Sequence, residues 1–342
     1  MSVDTLRSRR RLLAAVGTAC LLLASAPATA AAADPDTPPG APAGVCEPGT
    51  PPQPPLPGTT LSATRVQGGF SFLEGPVWIA GPGHLLVSDM GTATGTQQVQ
   101  PSTIRRLAPP APAQSFVAAS GSNGLALSPD GQQLIAATHD TRTVSAFRLS
   151  DGARTVVAAT FQGRAFNSPN DVTVRADGVV YFTDPNFQRG RRADEMGGRT
   201  GVFRVVNGQV SLVDDTLRQP NGIALSPDGR TLYVGANAEN RIYAYAVQPD
   251  GSTGARTVFA AITGPDGVTV DCAGNLYWVS HNEGRVHVFS PAGAELGTIA
   301  AGAGATNAAF GGPDRRTLFI TAGRTGDYGI STITLGVPGY PY

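Results

Sequence analysis

Lysine is absent from this chain. All 25 basic side chains are arginine, which a GC-rich coding sequence would explain and which excludes Schiff-base chemistry and a lysine general base. Neither sign of charge is in excess, because 25 acidic residues balance the arginines to a formal net charge of zero. There is therefore no electrostatic footprint for nucleic acid or an anionic membrane surface. Histidine is scarce, with four scattered residues and no zinc-ligand spacing. Cysteine is rarer still at three, and no Gly-x-Ser-x-Gly elbow occurs, so a serine or cysteine nucleophile is not indicated. Beyond the N-terminal segment no apolar run is long enough to cross a bilayer. No stretch carries the period of a long amphipathic helix.

What is present begins with a leader. Arg7, Arg9, Arg10 and Arg11 precede an apolar run from Leu12 to Ala26, and small residues follow through Ala33. That pattern reads as an export signal over residues 1–33, cleaved near Ala30 to Ala33. The run Ser8-Arg9-Arg10-Arg11-Leu12-Leu13 fits a twin-arginine route as well as a Sec route, and either places the product in the periplasm or outside the cell. Residues 34–58 are crowded with proline, as in Pro51-Pro52-Gln53-Pro54-Pro55, and read as an extended leader. Cys20 lies inside the apolar run, which leaves Cys46 and Cys272 after cleavage. In an oxidising compartment that pair is expected to form a disulfide.

From residue 59 to residue 342 the pattern is short strands and turns. Six times an acid or amide residue, usually followed by glycine, opens a small apolar strand: Glu74-Gly75, Asn123-Gly124, Asn170-Asp171, Asn221-Gly222, Asp266-Gly267 and Asn307-Ala308. A repeat of roughly 40–50 residues is that of four-stranded propeller blades. Within the repeats, Ser128-Pro129-Asp130-Gly131 and Ser226-Pro227-Asp228-Gly229 supply tight hairpin turns. The expectation is an all-β fold, a six-bladed β-propeller around a central tunnel. The segment Leu61 to Phe70 is expected to close the ring as the outer strand of the last blade.

In such a ring the first strand of each blade lines the tunnel, so the six heads meet at one mouth. Asn-Gly and Asp-Gly are common turn dipeptides, and any one head alone reads as a turn. Together they form a set of oxygen donors from different blades. Glu74 and Asp266 carry two negative charges, and Asn170 and Asn221 add neutral oxygens. That chemistry suits calcium or another divalent cation. Asn123 and Asn307 read as pocket lining or turn residues. Trp78 and Trp278 read as blade core.

Several phrases, in order, resemble one family: Glu74-Gly75-Pro76-Val77-Trp78, Phe166-Asn167-Ser168-Pro169-Asn170-Asp171-Val172, Tyr181-Phe182-Thr183-Asp184-Pro185, Pro220-Asn221-Gly222-Ile223-Ala224, Pro265-Asp266-Gly267-Val268 and Thr306-Asn307-Ala308-Ala309-Phe310. From about Phe72 to Ala322 the chain resembles the gluconolactonase/SMP-30/luciferin-regenerating-enzyme family. The resemblance implies a divalent-metal site in the tunnel with Glu74, Asn221 and Asp266 as ligands. It implies that Asn170 is a ligand or a holder of substrate and water, and it puts His139 near the pocket. After Pro185 the family's gluconolactonases continue with an aromatic–glycine element, whereas Asn186-Phe187-Gln188-Arg189-Gly190 follows here, which leaves the sugar open.

The expected activity is metal-assisted hydrolysis of a sugar lactone or related cyclic ester. Asp266 is the favoured base, with His139 a second catalytic candidate; Asp171 and His281 are further ones. Asn170, Asn123 and Asp171 are expected to contact substrate. A calcium-dependent phosphotriesterase, or a recognition propeller with a structural calcium, are the alternatives that a substrate panel with and without EDTA separates. The expected partner is a small molecule met by a monomer, with no nucleic acid and, after signal removal, no membrane.

Overall fold

The proline–glycine turns close hairpins as their chemistry requires. In the second repeat Ser128 N donates to Gln133 O at 2.9 Å and Gly131 N to Ser128 O at 2.8 Å. The fourth repeat copies this with Ser226, Thr231 and Gly229. Gly131 and Gly229 both sit at φ +65°, a left-handed conformation that glycine adopts without steric cost. A computed structural model describes Cys46, residues 54–94 and residues 99–341. The export signal and most of the proline-rich leader lie outside the described residues, which all belong to the unit from Pro38 to Tyr342.

Among the described residues the strands form six blades, each with four antiparallel strands and one extended by a fifth, and a separate two-stranded hairpin. The inner strands of the blades are Leu73–Ile79, Ser122–Leu127, Val172–Val174, Pro220–Leu225, Pro265–Val270 and Asn307–Gly311. Ring closure differs in one detail from the sequence expectation. Thr64–Phe70 pairs with Asp327–Thr334 as the outer strand of blade six, but Leu61 belongs to a separate strand, Thr60–Ser62. That strand lies parallel to Glu295–Ala300 as a fifth strand of blade five. A register shift cannot serve both edges, so the chain changes blades at Ala63. Upstream, Leu56 is buried against blade five and blade six residues.

The apolar core is divided into six parts, one between each pair of neighbouring blades. Val77, Ile79 and Leu86 of blade one meet Leu125, Leu134 and Phe147 of blade two, and equivalent clusters follow round to the contact of blade six with blade one. Trp78 stacks on Phe319 with ring centroids 5.6 Å apart, and Trp278 is fully buried between blades four and five. Both tryptophans are core. Cys46 and Cys272 form the expected disulfide, with Cα atoms 5.3 Å apart.

Candidate active site

Each head glycine is required by the head of the next blade. A Cβ on Gly75 would lie 2.3 Å from the Asn123 carbonyl oxygen, and one on Gly124 would lie 2.2 Å from Asp171 Oδ1. On Gly222 it would meet Asp266 O at 2.0 Å, and on Gly267 the Asn307 side chain at 2.0 Å. The repeated glycine is thus a consequence of crowding at the axis, where backbone replaces side chain so that six heads fit one mouth. Hydrogen bonds stitch the same circle: Gly124 N to Asn170 O at 2.7 Å, Gly267 N to Thr306 O at 2.8 Å, and Thr306 Oγ1 to Leu73 O at 2.6 Å.

Three carboxylates come together in this ring. Burial raises the Glu74 pKa well above its ordinary value, and the negative charges of Asp266 and Asp171 raise it further. Burial also pushes Asp171 up to about 7. Asp171 Oδ1 accepts from Val172 N at 2.9 Å and Oδ2 from Ile223 N at 3.3 Å, bonds that partly offset the desolvation of its anion. Asp266 is likewise raised by burial, against the opposing influence of His281 and of the Asn221 amide. Among the described residues no arginine is among the influences on the three. Buried like charges without a cation are costly, and a divalent ion is the physical remedy.

The donor set fits such an ion. Among the described residues no three Asp, Glu, His or Cys side chains alone form a metal cluster, so a cation at this mouth would need amide oxygens as well. Asn170 and Asn221 are buried at the same mouth. Asn221 lies against Asp266, and Asn170 is fixed through its backbone by Thr183 O at 2.9 Å. Hard oxygen donors of this kind suit calcium better than zinc. Asn123 presents a buried Nδ2 with no protein partner, a donor available to substrate.

Two residues matter more here than their sequence reading suggests. Asn307 donates to Glu74 while its Oδ1 accepts from Ala308 N at 2.8 Å, so it orients a carboxylate of the ring. His281 lies with Nδ1 3.5 Å from Asp266 Oδ2, too long for a well-formed hydrogen bond and better described as a charge pair. Asp266 raises the His281 pKa. His139 is placed differently. It is fully buried, with Nε2 on Gln100 O at 2.9 Å and Arg192 bonded to its carbonyl at 2.7 Å. Its charged neighbours are Asp140, Arg192 and Arg154, none of them a head. Asp184 braces the approach to Asn170, accepting from Asn167 N and Ser168 N at 2.8 Å each.

A match to the SMP-30/Gluconolactonase/LRE-like region runs over residues 72–324. The chain belongs to this family. It is 33% identical over 274 residues to a gluconolactonase of Zymomonas mobilis subsp. mobilis, a match covering 73% of this chain and 75% of that relative. A pentonolactonase of Haloferax volcanii is 33% identical over 192 residues, which are 53% of this chain and 61% of the relative's length. A gluconolactonase structure from Xanthomonas campestris superposes with a TM-score of 0.68 at 29% identity, covering 80% and 89% of the two chains. The calcium-binding protein regucalcin of Agrobacterium tumefaciens shares the fold, with a TM-score of 0.67 at 20% identity over 83% of this chain and 97% of its own.

Proposed function

We propose that this family member is an exported, calcium-dependent hydrolase that opens the ring of a sugar lactone. The observation that carries the reading is the convergence of Glu74, Asp171 and Asp266, from blades one, three and five, at one tunnel mouth without an arginine among them. Relatives named as gluconolactonase and pentonolactonase support the lactone. Glu74, Asn170, Asn221 and Asp266 would hold the cation, which when bound supplies electrostatic stabilisation for the oxyanion of the opening ester. Asp266 is suited to take the proton of the attacking water, since burial lifts its basicity. His281 beside it balances the charge that Asp266 carries before the transfer. The buried amides of Asn123 and Asn170 orient substrate oxygens. Aliphatic walls at Leu125, Ile223 and Val268 close the tunnel behind the ring and limit access of bulk water.

Export is supported by the arginine-led apolar N-terminus and by the Cys46–Cys272 disulfide, a bond that persists in oxidising compartments. The activity is tested with a panel of aldonolactones, simple lactones and a fluorophosphate, each assayed with and without EDTA. Aldonolactone hydrolysis that EDTA abolishes and calcium restores is the expected result. No turnover of any lactone by calcium-loaded protein would sink the reading, and preference for the fluorophosphate would move it to the phosphotriesterase alternative.

A further inference from the structure

The opposite end of the tunnel carries the opposite charge. The inner strand of blade six runs from Asn307 at the ring to Gly311, a rise of roughly 13 Å at about 3.3 Å per residue. The turn that follows places Arg315 on the wall of the same cavity, beside Tyr340. Arg315 is only 8% exposed. Its Nη2 donates to Tyr340 O at 3.3 Å, and its Nε has no partner. Arg142 is a fair control, being buried to the same 8%. Arg142 meets Glu195 at 3.2 Å and bonds the Phe166 and Ala165 carbonyls. Among the described residues Arg315 has no such carboxylate, and burial alone acts on it, lowering its pKa to about 10.

A guanidinium stays charged in a protein, and an unpaired buried charge is expensive. Asp171 lines the same cavity, yet no head carboxylate is among the influences on Arg315. The segment from Pro338 to Tyr340 packs against blades five and six beside it: Gly339 N donates to Arg315 O at 2.8 Å, Tyr340 N to Val270 O at 2.9 Å and Cys272 N to Pro338 O at 2.8 Å. The whole cavity that Asp171 and Arg315 share has a volume of about 70 Å³, room for a few water-sized species. We propose that Arg315 holds a small inorganic monoanion of halide size at the end of the tunnel away from the head residues. The anion neutralises the guanidinium and thereby secures the segment from Pro338 to Tyr340 against blades five and six.

Bromide is the probe. Crystals of the full chain soaked in sodium bromide are expected to show an anomalous peak in contact with the Arg315 guanidinium. In solution, bromide titrated at constant ionic strength against methanesulfonate is expected to raise Tm saturably, and Arg315→Met is expected to abolish that rise. Ordered water alone at Arg315, or the chain's own terminal carboxylate seated there, overturns the proposal. So does an equal bromide response in Arg315→Met. The diffraction result stands on the unaltered protein, so a variant that fails to fold leaves the proposal testable.

Discussion

The two ends of the tunnel are built from the same six strands and have opposite characters. At the open end three buried carboxylates repel one another and are surrounded by amides. At the other end the buried Arg315 stands beside a chain segment bonded to blades five and six. The difference teaches how a propeller divides labour. Strand starts face each other across the axis and are crowded, so their side chains act jointly. Strand ends diverge into separate hairpins, so what gathers there is decided by the few residues that fold back over the hole.

The contrast can be broken most forcefully at Asp266. Asp266→Asn is expected to lower lactone turnover by about 10²- to 10⁴-fold, the range for loss of a general base, and to weaken calcium binding in a calorimetric titration. In EDTA the same variant is expected to melt above the unaltered protein, because one of three repelling buried carboxylates has been neutralised. A variant that melts lower in EDTA would show that the ring is not electrostatically strained. Gly339→Ala should do the reverse at the other end. Its Cβ would lie 1.9 Å from Phe310 Cβ, so overpacking is expected to cost about 1–3 kcal/mol of stability, read by denaturant melts, with turnover per folded molecule kept. Loss of calcium affinity in Gly339→Ala would show the two ends to be coupled.

His139 sharpens the comparison with the smallest effect, since it stands at the head end yet outside the ring. Burial lowers its pKa from 6.5, and with Nε2 donating to Gln100 O the buried Nδ1 has no partner. The folded protein therefore binds this proton less readily than the unfolded chain. Its stabilising contribution is full above pH 6.5 and is lost as pH falls below it, at up to about 1.4 kcal/mol per pH unit. His139→Gln is expected to flatten that part of the stability–pH curve. A collapse of turnover at pH 7.5 beyond any loss of folded protein would place the ring in the reaction instead.

Much of the fold was legible because each blade repeats its own instructions. Head, glycine, apolar strand and Asp-Gly turn recur at propeller spacing, and the family phrases fall in order between Phe72 and Ala322, close to the matched span. The carboxylates that meet at the mouth were legible where charge marked them, at Glu74 and Asp266. His281 was undervalued as a loop histidine, although the signal was within reach. Pro265 pairs with Ser280 across an antiparallel hairpin, which sets His281 opposite Gly264, and from there its ring reaches back to Asp266. Asn307 carried no charge to single it out. Its bond to Glu74 depends on blade six meeting blade one, a contact between residues far apart in sequence.

Sequence alone determined the blades, the glycines at their heads, the supply of oxygen donors and the pairing of Cys46 with Cys272, because each rests on local chemistry or on counting. Tertiary structure decided which donors touch, that the chain switches blades at Ala63, and that the buried Arg315 lines the far end of the tunnel. These depend on ring closure. A ring makes neighbours of its first and last repeats and sets the interior field by the sum of all six blades, and no single repeat encodes either.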